Sequence, residues 1–168
     1  MSAQDGTILL DEIGETSAAF QVRMLRVLEE HEVQQLGSSV RQKTNARVIA
    51  ATNQNLSDLV ESGEFRRDLF YRINIMTVVL PPLRERMEDV PLLVDHFIRK
   101  MNRRKGKRII GITPDAMSMV LNHDYPGNIR ELENIIEHAF ILCSEEMIQP
   151  HHLPVYLKNV REESQNDS

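Results

Sequence analysis

The sequence predicts an α/β layer followed by a small bundle of helices. Two short apolar runs, at Thr7–Leu10 and Arg47–Ala51, each stop at polar residues, which is typical of parallel strands buried on both faces. A third apolar run, at Ile75–Leu80, is predicted to be another strand. Helical segments separate the runs, and such alternation indicates an α/β architecture. Pro81 and Pro82 end the pattern, because proline interrupts both helices and strand ladders.

Helix and turn signals fill the spaces between these runs. Ser17 is predicted to cap a helix, because a serine oxygen accepts a hydrogen bond from the first turn. The apolar side of that helix is predicted to carry Phe20, Met24, Val27 and Leu28. Residues 32–43 alternate loosely around residues 37–39, which favours a hairpin. Apolar clusters near Leu56 and Leu69 predict two further short helices.

After the two prolines, every segment is predicted to be helical. Pro91 suits the first turn of one helix, and Thr113 followed by Pro114 predicts the start of a second. Asn128 is predicted to cap a third helix, with Glu131 three residues further on completing a capping box.

The chain is therefore expected to have three parts. Residues 1–83 would form the α/β part and residues 84–157 the helical part. Residues 158–168 are polar and are predicted to be a disordered tail.

Composition limits the class of protein. Hydrophobic residues make up 41% of the 168 residues and charged residues 27%, which suits a globular protein. The sequence shows neither an apolar run of about 18 residues nor a secretion signal, and one cysteine, Cys143, fits a reducing compartment. The net charge of -5 and the absence of tryptophan argue against a nucleic-acid surface over the whole chain. We expect a cytoplasmic protein with no membrane partner.

Polar residues follow the first two predicted strands. Asp11 and Glu12 come after the first strand, and Thr52 and Asn53 come after the second. In open α/β sheets, ligands bind beyond the carboxyl ends of the strands. An aspartate there can bind Mg²⁺, a glutamate can orient or deprotonate water, and an amide can donate to a phosphate. The alternative is a pair of loops whose polar residues merely face solvent.

Three arginines surround the second short helix: Arg66, Arg67 and Arg72. They are either solvated or reach a phosphate on a neighbouring subunit, where a guanidinium stabilises the charge of a transferring phosphoryl group. Arg130 is predicted in the first turn of the last helix, where a positive charge is unfavourable. An anionic ligand would explain it, and so would a salt bridge to Glu133 or Glu137.

Five segments in order resemble the motifs of one family. Residues 6–15 (Gly-Thr-Ile-Leu-Leu-Asp-Glu-Ile-Gly-Glu) resemble a Walker B segment, and residues 48–53 (Val-Ile-Ala-Ala-Thr-Asn) resemble a sensor I strand. Residues 65–73 are similar to an arginine-finger helix, residues 80–86 to a linker, and residues 125–134 to a sensor II helix. Together they resemble the sigma-54-interacting AAA+ domain of bacterial enhancer-binding transcription activators, from about residue 4 to residue 157.

The resemblance implies ATP and Mg²⁺ as cofactors. Asp11 would bind Mg²⁺, and Glu12 would act on the attacking water. Thr52 and Asn53 would sense the γ-phosphate. Arg130 would read the nucleotide state from a helical lid that closes over the site.

The resemblance also implies partners. Arg66 and Arg72 would be fingers inserted into the site of the next subunit in a ring, which is usually hexameric, while Arg67 falls where the family varies. The further partner implied is the sigma-54 RNA polymerase holoenzyme. We expect no DNA-binding domain within these 168 residues.

The sequence departs from the family in two respects. None of its seven glycines begins a P-loop, Gly-x-x-x-x-Gly-Lys-[Ser/Thr], and it has no Gly-Ala-Phe-Thr-Gly-Ala-type loop for sigma-54. The resemblance thus implies a partial parallel sheet of the P-loop type without its P-loop strand, so that Ile75–Leu80 is an open strand edge. We expect a chain that is marginally stable, aggregation-prone or dependent on a partner. Without the P-loop and the sigma-54 loop, we also expect it to bind ATP weakly and to be inactive by itself.

Two other functions stay open. One is a non-catalytic module, or truncated remnant, that joins rings of intact activators and offers Arg66 and Arg72 in trans. The other is a nucleic-acid contact through residues 99–108, where seven of ten residues are basic, although cations also suit the end of a helix. His151 and His152 lack further metal ligands at suitable spacing and are predicted to be surface residues.

Overall fold

The computed structural model describes residues 5–34 and 41–157. The chain divides into two compact units, Met1–Val78 and Val79–Ser168. The predicted turn at residues 37–39 and the predicted tail at residues 158–168 lie outside the described residues. Within the described part, no helix is long and apolar enough to cross a membrane.

The first unit combines two small ladders with three helices. Its strands are β1 (Thr7–Leu10), β2 (Glu32–Gln34), β3 (Arg41–Lys43) and β4 (Arg47–Ala50). Its helices are α1 (Ala18–Glu30), α2 (Leu56–Glu61) and α3 (Arg67–Ile73). Strand β1 pairs with β4 in parallel, and β2 pairs with β3 antiparallel. The first two predicted strands, the hairpin ladder and the two short helices are confirmed.

One face of the β1–β4 pair is packed and the other is open. Leu10 and Val48 pack against a core formed by Ile13, Met24, Phe65 and Leu69. Side chains alternate along a strand, so Leu9 and Ile49, which are partners in register, point the opposite way. They are 63% and 45% exposed. The prediction of burial on both faces is wrong, because the core of this unit gathers on one face of a two-stranded ladder.

The third predicted strand does not form. Residues 75–80 follow the end of α3 and have no ladder partner among the described residues. Their apolar side chains range from 70% exposed at Val78 to 86% at Ile75. A strand is stable where a neighbouring strand pairs its backbone N–H and carbonyl groups. This segment has the composition of a strand and lacks that neighbour, so it is an exposed apolar segment rather than a strand edge.

Helix α1 begins at the predicted cap but buries a different residue. Ser17 Oγ accepts a hydrogen bond from the Phe20 N–H at 3.3 Å. Met24 is buried as predicted, whereas Phe20 is 40% exposed. Gln21 takes the buried position with an exposure of 1%. The prediction for Phe20 is wrong because Gln21, whose amide is fully hydrogen-bonded, occupies the helix face that meets the core.

The second unit is a helical bundle around one core. Its elements are α4 (Val90–Lys105), β5 (Gly111–Ile112), α5 (Pro114–Leu121), α6 (Asn128–Leu142) and β6 (Met147–Ile148). Helices α4 and α6 contribute buried residues such as Phe97 and Ile136 to this core. The helical prediction is confirmed, including the cap at Thr113, whose Oγ1 accepts the Ala116 N–H at 3.4 Å. The parallel β5–β6 pair was not predicted, because two-residue strands show no periodicity.

Asn128 ties the start of α6 to the segment after the two prolines. It is the first helical residue, with φ of 52°, and makes no side-chain cap. Its Oδ1 instead accepts the Leu83 N–H at 2.8 Å, while Glu131 Oε2 accepts the Gly127 N–H at 2.8 Å. The predicted cap is wrong because the left-handed backbone of Asn128 directs its side chain to Leu83 and leaves the helix start to Glu131.

Replacing Val78 and Val79 together by lysine is expected to reduce self-association of the chain and to leave its free energy of unfolding unchanged. Both side chains are largely exposed, so little packing is lost, and exposed apolar patches promote association. Light scattering over a concentration series measures association, and urea unfolding measures stability. The matched control is Leu92→Lys, at a 72% exposed position on α4. Equal association of the double variant and the parent chain would contradict the prediction.

Candidate functional site

The parallel ladder holds the acidic pair after β1 against the end of β4. The Ala51 N–H donates to the Leu10 carbonyl at 2.8 Å, and the Ile13 N–H donates to the Ala51 carbonyl at 3.0 Å. Asp11 and Glu12 therefore form a short loop with both ends fixed to Ala51. Glu12 has φ of 55°, a left-handed conformation that costs non-glycine residues free energy and that is often found at functional sites.

The polar residues after both strands share one edge and are exposed: Asp11, Glu12, Thr52 and Asn53. Asp11 Oδ1 accepts the Glu12 N–H at 3.1 Å, and Thr52 Oγ1 accepts the Gln54 N–H at 3.1 Å. These two bonds orient the Asp11 and Thr52 side chains. Carboxylate, hydroxyl and amide oxygens are hard ligands of the kind that Mg²⁺ takes, so this donor set fits that ion.

Gly14 allows the two loops to approach each other. A Cβ atom at this position would lie 2.9 Å from both Thr52 Oγ1 and Gln54 Oε1. Real Cβ atoms do not come this close to other atoms, so a side chain would force Thr52 or Gln54 to move. This packing role of Gly14 is not among the predictions made from the sequence. The signal for such a role is a glycine two residues after the acidic pair, where close backbone approach is a common reason for glycine.

Arg66 precedes α3 and is paired with an acid in the first turn of that helix. Its Nε lies 3.0 Å from Asp68 Oδ1 and its Nη2 lies 2.6 Å from Asp68 Oδ2. This side-chain hydrogen bond lowers the pKa of the Asp68 carboxyl and raises the pKa of Arg66. Both side chains are 44% exposed, so the pair holds the guanidinium in a defined direction at the surface.

Arg72, at the other end of α3, contacts helix α1. Its Nη2 donates to the Leu28 carbonyl at 2.9 Å, which is one of the last carbonyls of α1. Arg67 is exposed and lines a shallow surface depression together with Arg66, Asp68 and Tyr71. The three arginines around α3 therefore have different surroundings, although the sequence presents them as a group.

Arg130 lies in the first turn of α6, in the second unit. It is exposed and has no ion pair or side-chain hydrogen bond within the described residues. Glu133, which the sequence offers as a partner, instead binds Lys100 at 2.6 Å. The positive charge of Arg130 is thus left at the positive end of a helix, the condition under which a nearby anion is favourable.

The basic segment at residues 99–108 is used in part within the second unit. Arg99 forms an ion pair with Asp95 one helical turn earlier. Lys107 Nζ donates to three carbonyls at 2.8 to 3.1 Å around the end of α6, those of Phe140, Ile141 and Cys143. Cations at a helix C-terminus are favourable. These contacts support a structural role for the segment.

Glu145, His151 and His152 bring possible metal ligands within 4.8 Å of one another. His152 is buried, so its predicted surface position is wrong, and its Nδ1 accepts the Gln149 N–H at 3.0 Å. The neutral ring therefore has its proton on Nε2, and neither nitrogen offers a lone pair to a metal. Burial, and next the neighbouring His151, lower the pKa of His152. This arrangement stabilises the turn that contains His152.

Comparison with known families matches both units. The first matches the Sigma-54 interaction domain over residues 1–79, and the second matches the AAA+ ATPase lid domain over residues 84–168. The two matches together define the class as an AAA+ ATPase domain. The chain belongs to the sigma-54-interacting AAA+ family of transcription activators.

Individual relatives agree with this assignment. The chain is 47% identical to the transcriptional regulatory protein ZraR of Salmonella typhimurium, over 92% of this chain and 35% of ZraR. It is 44% identical to the nitrogen fixation protein AnfA of Azotobacter vinelandii, over 95% of this chain and 30% of AnfA. A crystal structure of NtrX from Brucella abortus superimposes with a TM-score of 0.85 at 33% identity, over 97% of this chain and 41% of NtrX. The chain thus spans about a third of the length of the curated relatives it matches.

Gly14→Ala is expected to lower the free energy of unfolding by about 1 kcal/mol, the low end of the cost of overpacking, because Thr52 and Gln54 are exposed. The added Cβ would displace Thr52 Oγ1 or Gln54 Oε1, and so disturb the polar edge. Urea unfolding monitored by circular dichroism gives the change. Gly111→Ala is the matched control, because its Cβ would meet only Met147 Cε, at an ordinary 3.9 Å. A Gly14→Ala chain as stable as the control would show that the two loops are not tightly packed.

Proposed function

We propose that the chain is the portion of a sigma-54 activator's ATPase domain that completes and reads a nucleotide site. One observation carries the proposal: the β1–β4 ladder sets Asp11 and Glu12 beside Thr52 and Asn53 at one exposed edge. Relatives support ATP as the ligand, because NtrX from Brucella abortus has been crystallised in complex with ADP and with ATP.

Each residue at this edge receives one role. Asp11 holds Mg²⁺, which when bound neutralises part of the phosphate charge. Glu12 orients the attacking water and accepts its proton. Thr52 and Asn53 carry hydroxyl and amide hydrogens that distinguish a γ-phosphate from an empty position. The exposure of all four side chains supports these roles, because a nucleotide could reach them without displacing protein atoms.

The arginines act on a different subunit's nucleotide. Arg66 and Arg72 lie at the two ends of α3 with exposed side chains, which suits insertion into the neighbouring site of a ring. In this proposal Arg66 exchanges Asp68 for a phosphate, which offers the same bidentate geometry. Arg130 uses its unpaired charge to read the nucleotide from the lid. For a longer protein that contains this chain, we propose two partners. Like subunits form the ring, and sigma-54 RNA polymerase is the complex on which the ring acts.

A second candidate is a non-catalytic interaction module. It is favoured by the presence of surface arginines on α3 in a sequence that contains no P-loop motif. Such a chain would join rings of intact activators and alter their activity. Adding the chain to an intact family member separates the two proposals. A mixed assembly with altered ATP hydrolysis would support the interaction module. An intact family member whose ring and activity stay unchanged would support a portion that acts only within its own ATPase domain.

The chain by itself is expected to bind MgATP only weakly, with a dissociation constant of about 1 mM or more. The residues it contributes contact Mg²⁺ and the γ-phosphate, whereas a P-loop supplies the lysine and backbone amides that hold the phosphates. Isothermal titration calorimetry measures the binding, with Asp11→Asn as the control for Mg²⁺-dependent heat. A micromolar dissociation constant for MgATP would contradict the expected weak binding. If Asp11→Asn abolished that binding, the role of Asp11 would still be supported.

The catalytic roles are tested in a hybrid, in which the part of ZraR that precedes its match to this chain is joined ahead of residue 1. Arg66→Ala is expected to lower kcat of ATP hydrolysis by about 1,000-fold, the scale for an arginine finger, with KM nearly unchanged. Arg67→Ala, at the next residue along the chain, is the matched control and is expected to have little effect. Equal turnover of the Arg66→Ala and parent hybrids would reject the proposed role.

Action across subunits has its own test in the same hybrid. Arg66→Ala subunits keep their own sites, and Glu12→Gln subunits keep their arginines. Mixing the two inactive variants is expected to restore part of the activity, because a Glu12→Gln subunit supplies Arg66 to its neighbour's intact site. No recovery in rings that are shown to be mixed would place Arg66 in the site of its own subunit.

A further inference from the structure

Gln21 is a buried polar side chain that joins α1 to the start of α3. It is 1% exposed, and a buried amide without partners costs free energy. Its Nε2 donates to the Thr16 carbonyl at 2.9 Å and to the Glu64 carbonyl at 3.0 Å. Its Oε1 accepts the Arg66 N–H at 3.0 Å. Both amide hydrogens and the amide oxygen are therefore used.

The bonds to Glu64 and Arg66 bracket a core residue. Phe65 lies between them and is 2% exposed. The carboxamide of Gln21 donates to the carbonyl before Phe65 and accepts from the N–H after it. A carboxylate lacks the donor, and an apolar side chain lacks both groups. Gln21 thus fixes this backbone by a geometry that only a side-chain amide supplies.

The same amide is connected to the acidic loop. The Thr16 N–H and Oγ1 donate to the Ile13 carbonyl at 3.3 and 2.7 Å. The Ile13 N–H in turn donates to the Ala51 carbonyl at 3.0 Å, beside Asp11 and Glu12. Through Thr16, Gln21 links the backbone of the acidic loop to the backbone of the arginine.

Arg66 is held at both ends of its side chain. Its backbone, with φ of −71° and ψ of 130°, directly precedes α3 and is fixed by Gln21. Its guanidinium is fixed by Asp68. When the guanidinium leaves Asp68 for a ligand, the contact with Gln21 still determines where the side chain begins.

We infer that Gln21 is a positioning residue for Arg66, and this inference rests on the proposed role of Arg66 toward a neighbouring nucleotide. Gln21 touches neither nucleotide nor water in this role. It acts by keeping the guanidinium within reach of the phosphate, and a misplacement of about 1 Å in a reacting group can cost about 100-fold in rate.

Hydrogen exchange in the 168-residue chain tests the contact itself. Gln21→Met removes the amide and nearly keeps the length of the side chain. The Arg66 amide is expected to exchange about tenfold faster relative to the Phe70 amide, which bonds within α3 and corrects for global stability. Met24→Ala, a packing change on the same helix, is the control and should leave this ratio unchanged. An unchanged ratio in Gln21→Met would overturn the inference; Gln21→Asn replaces that variant if it does not fold.

The hybrid ATPase tests the consequence for the reaction. Gln21→Met is expected to lower kcat by about 10–100-fold with KM for ATP unchanged. In an Arg66→Ala background it should lower kcat no further, because its effect passes through Arg66. A further loss there would mean that Gln21 is only structural. If Arg66→Ala alone does not change kcat, the proposed function fails, and the exchange ratio still decides whether Gln21 holds Arg66.

Discussion

The parallel pairing of β1 with β4 determines where the polar residues of the first unit lie. The ladder runs from the pair Thr7–Arg47 to the pair Leu10–Ala50, and Ala51 then bonds to both ends of the acidic loop. Because both strands end at the same edge, residues 40 positions apart in sequence meet there. A shift in register would move the acids away from Thr52 and Asn53 and remove the donor set that fits Mg²⁺.

Helix α1 is the element through which this edge and the arginines are connected. Its N-terminal side approaches the acidic loop through Thr16, its buried Gln21 bonds to the backbone of Arg66, and its last turn accepts Arg72 at Leu28. The two arginines are thus attached to opposite ends of one rigid element. Contacts that position both arginines therefore lie along this one helix.

Structural features that depend on neighbouring residues in the sequence were mostly predicted. Features that depend on contacts between distant residues were predicted less well. The placement of Asp11 beside Thr52 followed from the ends of parallel strands, which needs only the strand pattern. Residues 75–80 do not form a strand, because a strand depends on a neighbour that sequence composition does not reveal. The cap at Asn128 failed because a left-handed backbone redirected the side chain. The burial of Gln21 was not predicted, because a polar residue on a helix is expected to face solvent unless its hydrogen-bond partners are known.

The contact of Lys107 with three carbonyls limits which residues can replace it. An ammonium group has three hydrogens that can converge on three acceptors around the end of α6, whereas the donors of a guanidinium lie in one plane. Exchange of lysine for arginine, which preserves charge, would therefore not preserve this interaction. Arginine and lysine can replace each other at the exposed Arg103 and Arg104, whereas at Lys107 the shape of the cation matters as well as its charge.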